Sequence, residues 1–395
     1  MKILDVSPRF DAVPGRGSDA RIHGVLAQLS RRHSVRQFSQ GTWEDLHRQA
    51  RSRTIRHSPT WEQWQWVHPL AAAVGAVPVR AWPTAPLWAG RALSLARPRR
   101  LDAWLRWADV VLVEFPWQLG YCVRRHPAGR YVYASMNVEA QKFRSWARAA
   151  GVDPAGDRWL RWVERLEADA VRRAERVLAV SADDAALFVE RYGCSEKKIV
   201  VVENGADTTR LRPASAAERA EAGARLGLPL EGPTVLFAGA AVPPNRAGLE
   251  WVRRVAAHAP ELGFVAVGAV SEPRGVEGNL VRLGFVPDFR SALHAADLGI
   301  VPIEHGGGTK IKLLESVAAG LPTVVFADCL AGLELPVVVA EKDPRAVASA
   351  LRALVREPDR AARLAEAGRA AVVRRYDWSV TTAPLERLLA RLGPA

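Results

Sequence analysis

Cysteine, lysine and long apolar runs are all scarce in this chain of 395 residues. Only three cysteines are present, Cys122, Cys194 and Cys329, and their odd number and wide spacing exclude a disulfide framework or a cysteine metal cluster. We therefore expect them to be buried as small apolar side chains. No stretch approaches about 18 consecutive apolar residues, which excludes a membrane-spanning helix. The first residues lack the basic, apolar and small-residue regions of a signal peptide, so we expect a cytoplasmic protein.

Positive charge, by contrast, is abundant and unevenly distributed. Arginine supplies 48 of the 55 basic side chains, and the net charge is +13. Residues 1–180 contain 29 basic and 16 acidic side chains, whereas residues 181–395 contain 26 of each, so the whole excess lies in the first half. Twelve of the 14 tryptophans also lie before residue 170. This pattern predicts that the first half contacts an anionic group, with solvated arginines and packed tryptophans as the open alternative.

Strand and helix patterns alternate along the chain, which predicts parallel sheets with helical crossovers. The strand at residues 2–7, the loop glycine Gly17 and the helical spacing after it are typical of the start of a doubly wound domain. Residues 41–107, rich in arginine, tryptophan and proline, have the least regular pattern. A new series of alternating strand and helix patterns begins at Thr234, and the residues from there to the end of the chain are numerous enough to form a second domain. The predicted domains are residues 1–205 and 206–380, followed by a C-terminal helix at 381–395.

A glycine-rich turn in the second half carries the strongest chemical signal. A buried strand ends at Pro302, and Gly306, Gly307 and Gly308 then allow close backbone approach. Thr309 is placed to cap the helix that follows. Free backbone amides and the positive end of that helix predict an anion site.

Charged side chains on the same helix extend this site. Lys310 and Lys312 place positive charge beside the turn, and Glu315 offers two oxygens that suit a vicinal diol such as a ribose. Phosphate-binding groups followed by a diol acceptor predict a pocket for a nucleoside diphosphate. The residues alone leave an equal alternative, a structural turn with solvated lysines.

This segment resembles the donor-binding signature of retaining, family 4-type glycosyltransferases of the GT-B fold. Other segments agree with the family in order and spacing, and they are Val180-Ser-Ala-Asp-Asp, Glu203-Asn-Gly-Ala-Asp, the run 237–248 and the run 283–298. The resemblance implies an α/β protein of the GT-B class, with two Rossmann-like domains facing across a cleft. It also implies that the first domain binds the acceptor, that the second binds the nucleotide sugar, and that the C-terminal helix returns to the first.

The resemblance assigns donor-binding roles to individual residues. It implies that Glu315 holds the ribose, and it places the family's first acid at Gly307, where backbone amides would replace it. Ala240 stands where many relatives have an arginine, so Arg246 becomes the candidate partner of the diphosphate, with Lys312 opposite. A surface arginine is the alternative for Arg246. The other implied donor-binding positions are Gly17, Asn204, Gly239, Gly284, Phe285, Gly306, Gly308, Thr309 and Lys310.

The first half departs from the family at one position near the expected chemistry. The segment 131–140 resembles one in which a His-Asn-x-Glu run borders the transferred sugar, but Met136 stands in place of the histidine. A thioether neither carries a proton nor donates a strong hydrogen bond. Asn137 and Glu139 remain as the polar catalytic candidates, and Met136 is alternatively a core side chain.

The implied function is transfer of a hexosyl group from a UDP- or GDP-linked sugar to an acceptor in glycan or glycoconjugate biosynthesis. No cofactor other than this co-substrate and no metal is expected. The basic first half leads to the hypothesis of an anionic or lipid-linked acceptor and of peripheral contact with the anionic inner face of a membrane. No nucleic-acid-binding motif is present. A catalytically weakened binding protein and a sugar-nucleotide epimerase of the same fold remain as alternatives.

Overall fold

A computed structural model describes residues 1–8, 17–42, 45–46, 51–81, 88–149, 158–228, 232–304 and 311–394. The described residues form two sheets, of eight and seven strands, with helices between most successive strands. The chain divides into two compact units. The first contains residues 1–12, 25–203 and 382–395, and the second contains residues 13–24 and 204–381.

The first unit is built on the eight-stranded sheet, in the order β3-β4-β2-β1-β5-β6-β7-β8. Its strands are β1 (Lys2–Ser7), β2 (Ser34–Gln40), β3 (Arg53–Ser58), β4 (Trp61–Trp66), β5 (Val110–Glu114), β6 (Tyr131–Ala134), β7 (Arg176–Ala179) and β8 (Ile199–Val201). The helices along this part of the chain are α1 (Gly17–Leu29), α2 (Pro69–Ala81), α3 (Ala89–Ala96), α4 (Arg99–Trp107), α5 (Leu119–Arg125), α6 (Glu139–Ala149), α7 (Arg158–Arg173) and α8 (Ala182–Tyr192). All strand pairs are parallel except β3 with β4.

The second unit is built on the seven-stranded sheet, in the order β11-β12-β10-β9-β13-β14-β15. Its strands are β9 (Thr234–Ala238), β10 (Gly263–Val267), β11 (Gly275–Glu277), β12 (Leu280–Gly284), β13 (Leu298–Val301), β14 (Thr323–Val325) and β15 (Val338–Val339). Its helices are α9 (Ala216–Leu226), α10 (Pro243–Ala257), α11 (Phe289–His294), α12 (Ile311–Ala318), α13 (Pro344–Arg356), α14 (Pro358–Ala371) and α15 (Trp378–Thr381). The last helix of the chain, α16 (Ala383–Leu392), belongs to the first unit.

Both sheets reverse their winding direction at the strand that opens them. β1 lies between β2 and β5, and β9 lies between β10 and β13. Such a reversal leaves a crevice outside the carboxyl ends of the strands, where ligands of doubly wound sheets bind. β5 and β13 are buried along their whole length and β1 is buried at every residue after Lys2, as expected for parallel strands covered by helices on both faces. The prediction of an α/β fold with two doubly wound domains is confirmed.

Residues 41–107 are more regular than their sequence pattern indicates. The described part of this range contains the antiparallel pair β3–β4 and the helices α2, α3 and α4, and β4 is paired in parallel with β2. The prediction that the three cysteines are buried is confirmed. Among the residues that the structure describes, no helix is both long enough and apolar enough to cross a membrane.

Candidate functional site

Three glycines end neighbouring strands of the second unit. Gly239 follows β9, and a Cβ there would lie 2.9 Å from the Cβ of Asn245. Gly268 follows β10 with φ +98°, and a Cβ there would lie 2.2 Å from the carbonyl oxygen of Gly239. Gly284 ends β12 with φ +65°, and a Cβ there would lie 2.3 Å from Oε1 of Glu272. Glycine is therefore required where these strand ends approach each other and their neighbouring loops. Sequence reasoning identified Gly239 and Gly284 but missed Gly268.

The loop after β12 presents an aromatic ring at this edge. The backbone N–H of Gly284 donates to Oγ of Ser271 at 3.0 Å, and that of Phe285 donates to Oε1 of Glu272 at 3.0 Å. These bonds hold the backbone, while the Phe285 side chain remains 45% exposed. An exposed ring on a fixed backbone is suited to stacking on a planar heterocycle.

The helix α10 begins at the same edge, directly after β9. Its first residue is Pro243, and the amide of Asn245 donates to the carbonyl of Ala240 at 3.0 Å, which orders the turn. Arg246 lies in the first helical turn and is exposed. The positive end of the helix and the Arg246 guanidinium both favour an anion at this position.

The helix α12 follows β13, the neighbour of β9. Lys312, in its first turn, lies with Nζ 4.8 Å from the ring centroid of Phe289. Glu315 is partly exposed, and desolvation raises the pKa of its carboxyl group. The positive charges of Lys312 and Arg210 oppose that rise in pKa. Sequence reasoning did not identify Arg210.

The predicted glycine-rich turn itself, with Gly306, Gly307, Gly308, Thr309 and Lys310, lies outside the described residues.

Two further predicted positions lie in the second unit although they are far apart in the chain. Gly17 begins α1, and a Cβ there would lie 3.9 Å from Cδ1 of Ile311, the first residue of α12. The side chain of Asn204 accepts a hydrogen bond from the guanidinium of Arg21 at 2.9 Å, and both residues are buried. The start of α1 is therefore part of the second unit.

The segment expected to border the sugar lies in the first unit, directly after β6. Met136 is buried, and Asn137 is partly exposed. The amide of Asn137 donates to Oε1 of Glu139 at 3.4 Å. Glu139 is fully buried, and its Oε2 is 2.6 Å from Nζ of Lys142. Asn137 is thus the polar side chain of this segment that has accessible surface.

A buried carboxylate, which sequence reasoning missed, holds this segment in place. Glu167 accepts hydrogen bonds from the backbone N–H of Glu139 at 2.8 Å and of Ala140 at 3.0 Å, in the first turn of α6. It also accepts from the hydroxyls of Tyr133 at 3.0 Å and Tyr192 at 2.7 Å. Burial is the main cause that raises the pKa of Glu167 to about 7. The sequence feature that could have identified Glu167 is its position on the apolar face of α7, where a carboxyl group is unusual.

Within the described parts of the chain, no group of three or more histidine, cysteine, aspartate or glutamate side chains is arranged to hold a metal ion.

Comparison with protein families matches both halves of the chain. Residues 16–210 match the family described as Glycosyltransferase Family 4, and residues 232–357 match that described as Glycosyl transferases group 1. Among curated relatives, the D-inositol 3-phosphate glycosyltransferase of Thermobispora bispora is 31% identical over 251 residues, which is 55% of this chain and 56% of the relative. That of Streptomyces scabiei is 31% identical over 247 residues, 55% of this chain and 54% of the relative. The chain spans about half the length of the curated relatives it matches.

Solved structures share the fold over almost the whole chain. Sucrose-phosphate synthase from Thermosynechococcus elongatus has a TM-score of 0.74 at 18% identity and covers 99% of this chain and 98% of its own. The Anabaena protein HepE in complex with UDP-glucose has a TM-score of 0.70 at 16% identity and covers 99% and 100%. Both family domains occur in one chain whose two units are doubly wound. The chain therefore belongs to the family 4-type glycosyltransferases of the GT-B fold.

Proposed function

We propose that this protein transfers a hexosyl group from a UDP- or GDP-linked sugar to an acceptor, with retention of the anomeric configuration. The observation that carries the proposal is the carboxyl edge of the second sheet. There, Arg246 lies in the first turn of α10, and Lys312 and Glu315 lie in the first two turns of α12; the two helices follow adjacent strands. Solved neighbours of the same fold contain UDP or UDP-glucose, which supports this class of donor.

In this proposal, each part of the nucleotide sugar has a chemically matched partner in the protein. Arg246, Lys312 and the turn at 306–310 bind the diphosphate, and Glu315 accepts hydrogen bonds from the ribose hydroxyls. The exposed ring of Phe285 contacts the base. Cations beside the diphosphate promote transfer because negative charge grows on this leaving group in the transition state.

We assign the acceptor side of the reaction to the segment after β6. Asn137 contacts the transferred sugar. Glu139, which is paired with Lys142, accepts a hydrogen bond from Asn137 and so positions the Asn137 side chain. In a retaining transfer, the acceptor hydroxyl approaches the face from which the diphosphate departs, and a phosphate oxygen takes its proton. Met136 supplies no proton at this step, so the reaction depends on the donor phosphate itself.

The acceptor in this proposal is anionic or linked to a lipid. The excess of basic side chains in residues 1–180 supports a negatively charged acceptor. The curated relatives are named D-inositol 3-phosphate glycosyltransferases, and that name refers to a phosphorylated compound, which also supports a negatively charged acceptor.

Substitution of Glu315 tests the donor site. We expect Glu315→Gln to weaken binding of UDP or GDP by at least about tenfold, because a hydrogen bond to a charged group contributes about 1.5–3 kcal/mol. Titration calorimetry with both nucleotides measures the affinity. Glu341→Gln, an exposed carboxyl of the same unit, is the matched control and should bind like the wild type. Wild-type affinity in Glu315→Gln would place the pocket elsewhere.

Donor turnover without acceptor separates the remaining candidates. A transferase hydrolyses its preferred UDP- or GDP-sugar slowly, an epimerase converts it to another nucleotide sugar, and an inert relative binds it unchanged. Chromatography of the products distinguishes these outcomes. Conversion to a second nucleotide sugar would overturn the proposal.

A further inference from the structure

Four helices of the first unit form a continuous surface, which we call the helical flank. It comprises α2 (Pro69–Ala81), α3 (Ala89–Ala96), α5 (Leu119–Arg125) and α7 (Arg158–Arg173). Each helix contacts the next, α2 with α3, α3 with α5, and α5 with α7. The guanidinium of Arg124 on α5 donates to Oγ of Ser94 on α3 at 3.1 Å, which ties two of these helices together.

The helical flank is strongly cationic. Among the described side chains in and directly after these helices, nine arginines are exposed: Arg91, Arg97, Arg124, Arg125, Arg158, Arg161, Arg165, Arg172 and Arg173. Among the described residues of the same helices, Glu164 and Asp169 are the carboxylates that are not buried, and each is already paired with arginine. The helical flank therefore displays part of the charge excess that the composition places in the first half.

Apolar side chains are exposed on the same surface. Leu70 on α2 is 51% exposed and Leu95 on α3 is 58% exposed, and they are the large apolar side chains most exposed in the described part of the first unit. Trp88 and Trp159, at the starts of α3 and α7, are half-buried, with ring centroids 6.0 Å apart.

Two arginines stack on these tryptophans. The Arg91 guanidinium lies 4.4 Å from the Trp88 ring centroid, and that of Arg158 lies 5.1 Å from the Trp159 ring centroid. Indole rings favour the interfacial zone of a bilayer, and guanidinium groups bind lipid phosphates in pairs of hydrogen bonds.

We propose that the helical flank is a docking surface for an anionic lipid bilayer. Arginines supply attraction to the headgroup phosphates, and Leu70, Leu95 and the tryptophan edges enter the interfacial zone. The inference deepens the proposed function, since a lipid-linked acceptor lies at such a surface. Vesicle binding needs neither donor nor acceptor, so failure of the docking surface and failure of the transferase assignment are distinguishable.

Co-sedimentation of the full chain with vesicles tests the docking surface. We expect binding to phosphatidylcholine vesicles with about 30 mol% phosphatidylglycerol, and little binding to phosphatidylcholine alone. The triple variant R91Q/R158Q/R165Q should bind the anionic vesicles about 100-fold more weakly, because each arginine near the surface contributes about 1 kcal/mol, or about fivefold in affinity. The matched control, R345Q/R356Q/R363Q, removes three exposed arginines from α13 and α14 of the second unit and should bind like the wild type.

A second variant separates insertion from pure charge attraction. Leu95→Gln changes an exposed side chain that the fold does not need, and we expect it to weaken the part of vesicle binding that persists at high salt. Circular dichroism confirms that each variant is folded. Equal binding to neutral and anionic vesicles, equal losses in the two triple variants, or equal affinity for duplex DNA would each overturn the bilayer as the partner.

Discussion

Glu167 shows how one buried carboxyl organises the residues expected to border the sugar. It accepts four hydrogen bonds, two from the first turn of α6 and two from tyrosine hydroxyls. The same contacts orient the segment that contains Asn137, because α6 begins directly after it. A buried charge is costly even when it is hydrogen-bonded, and this cost raises the pKa of Glu167 to about 7.

This pKa predicts a pH dependence of stability. The folded protein holds the Glu167 proton more tightly than the unfolded chain, whose carboxyl has a pKa near 4.5. The contribution of Glu167 to the free energy of unfolding should therefore decrease as pH rises from about 4.5 to about 7, by at most about 3 kcal/mol, and stay level above that range.

Urea unfolding at several pH values measures this effect as the difference between the wild type and Glu167→Gln. The difference is needed because burial and Glu114 also raise the pKa of Asp5, which gives a dependence of the same sign. A pH-independent difference between the two proteins would contradict the assignment.

At the scale of elements, the proposed donor site depends on where strands end and helices begin. Lys312 and Glu315 were predicted because they lie in a helix that follows a strand, and that local order is visible in the sequence. Arg246 was predicted from the family resemblance. Gly268 was missed because its role depends on Gly239, whose carbonyl lies on the neighbouring strand. A glycine requirement of this kind is invisible until the sheet order is known.

Gly268→Ala should therefore disturb the fold and the donor site together. A Cβ at Gly268 meets backbone at 2.2 Å, whereas one at Gly278, with φ +59°, meets nothing within 4 Å. Both alanines suffer backbone strain, of order 1–3 kcal/mol, but Gly268→Ala adds a steric cost of about 1–3 kcal/mol more. Chemical denaturation and nucleotide titration of the two variants measure the contrast. Equal losses in both variants would contradict the proposed close approach of β9 and β10.

The pair β3–β4 explains why residues 41–107 gave so weak a pattern. The face of β4 that carries the buried Trp61 also carries the buried Gln63 and Gln65. Gln63 donates to Oγ of Ser39 at 2.8 Å, and Gln65 accepts from Arg53 at 2.7 Å. Because polar side chains occupy buried positions of this strand, the usual alternation of buried apolar and exposed polar residues is absent.

At the scale of the whole molecule, the C-terminal helix completes the first unit. α16 packs against β8, and its Leu385, Leu388 and Leu389 are buried. His33 lies 3.0 Å from Glu386, and Arg130 donates to the carbonyl of Leu392 at 2.7 Å. A segment of 14 residues at the end of the chain is thus part of the unit that begins the chain.

Removal of residues 383–395 should destabilise the first unit selectively. Three buried leucines at about 1.5–3 kcal/mol each predict a loss of about 5 kcal/mol or more. Hydrogen exchange by mass spectrometry should show lost protection in β2 and β8 and retained protection in β9 and β13. Arg387→Gln, an exposed change on the same helix, is the control. Loss of protection confined to the second unit would contradict this division of the chain.

Periodicity and spacing along the chain were enough to predict two doubly wound domains and the helix that carries Lys312 and Glu315. These features are local, because a strand, a turn and a helix N-terminus each involve residues that are close in sequence. Residue counts alone gave the charge asymmetry between the two halves. The order of the strands, the Arg21–Asn204 hydrogen bond and the Glu167 contacts with α6 required the tertiary structure, whereas the return of α16 was expected from the family resemblance and from no local pattern. Each joins residues far apart in the chain, and no local pattern encodes which distant partner satisfies a buried polar or apolar group.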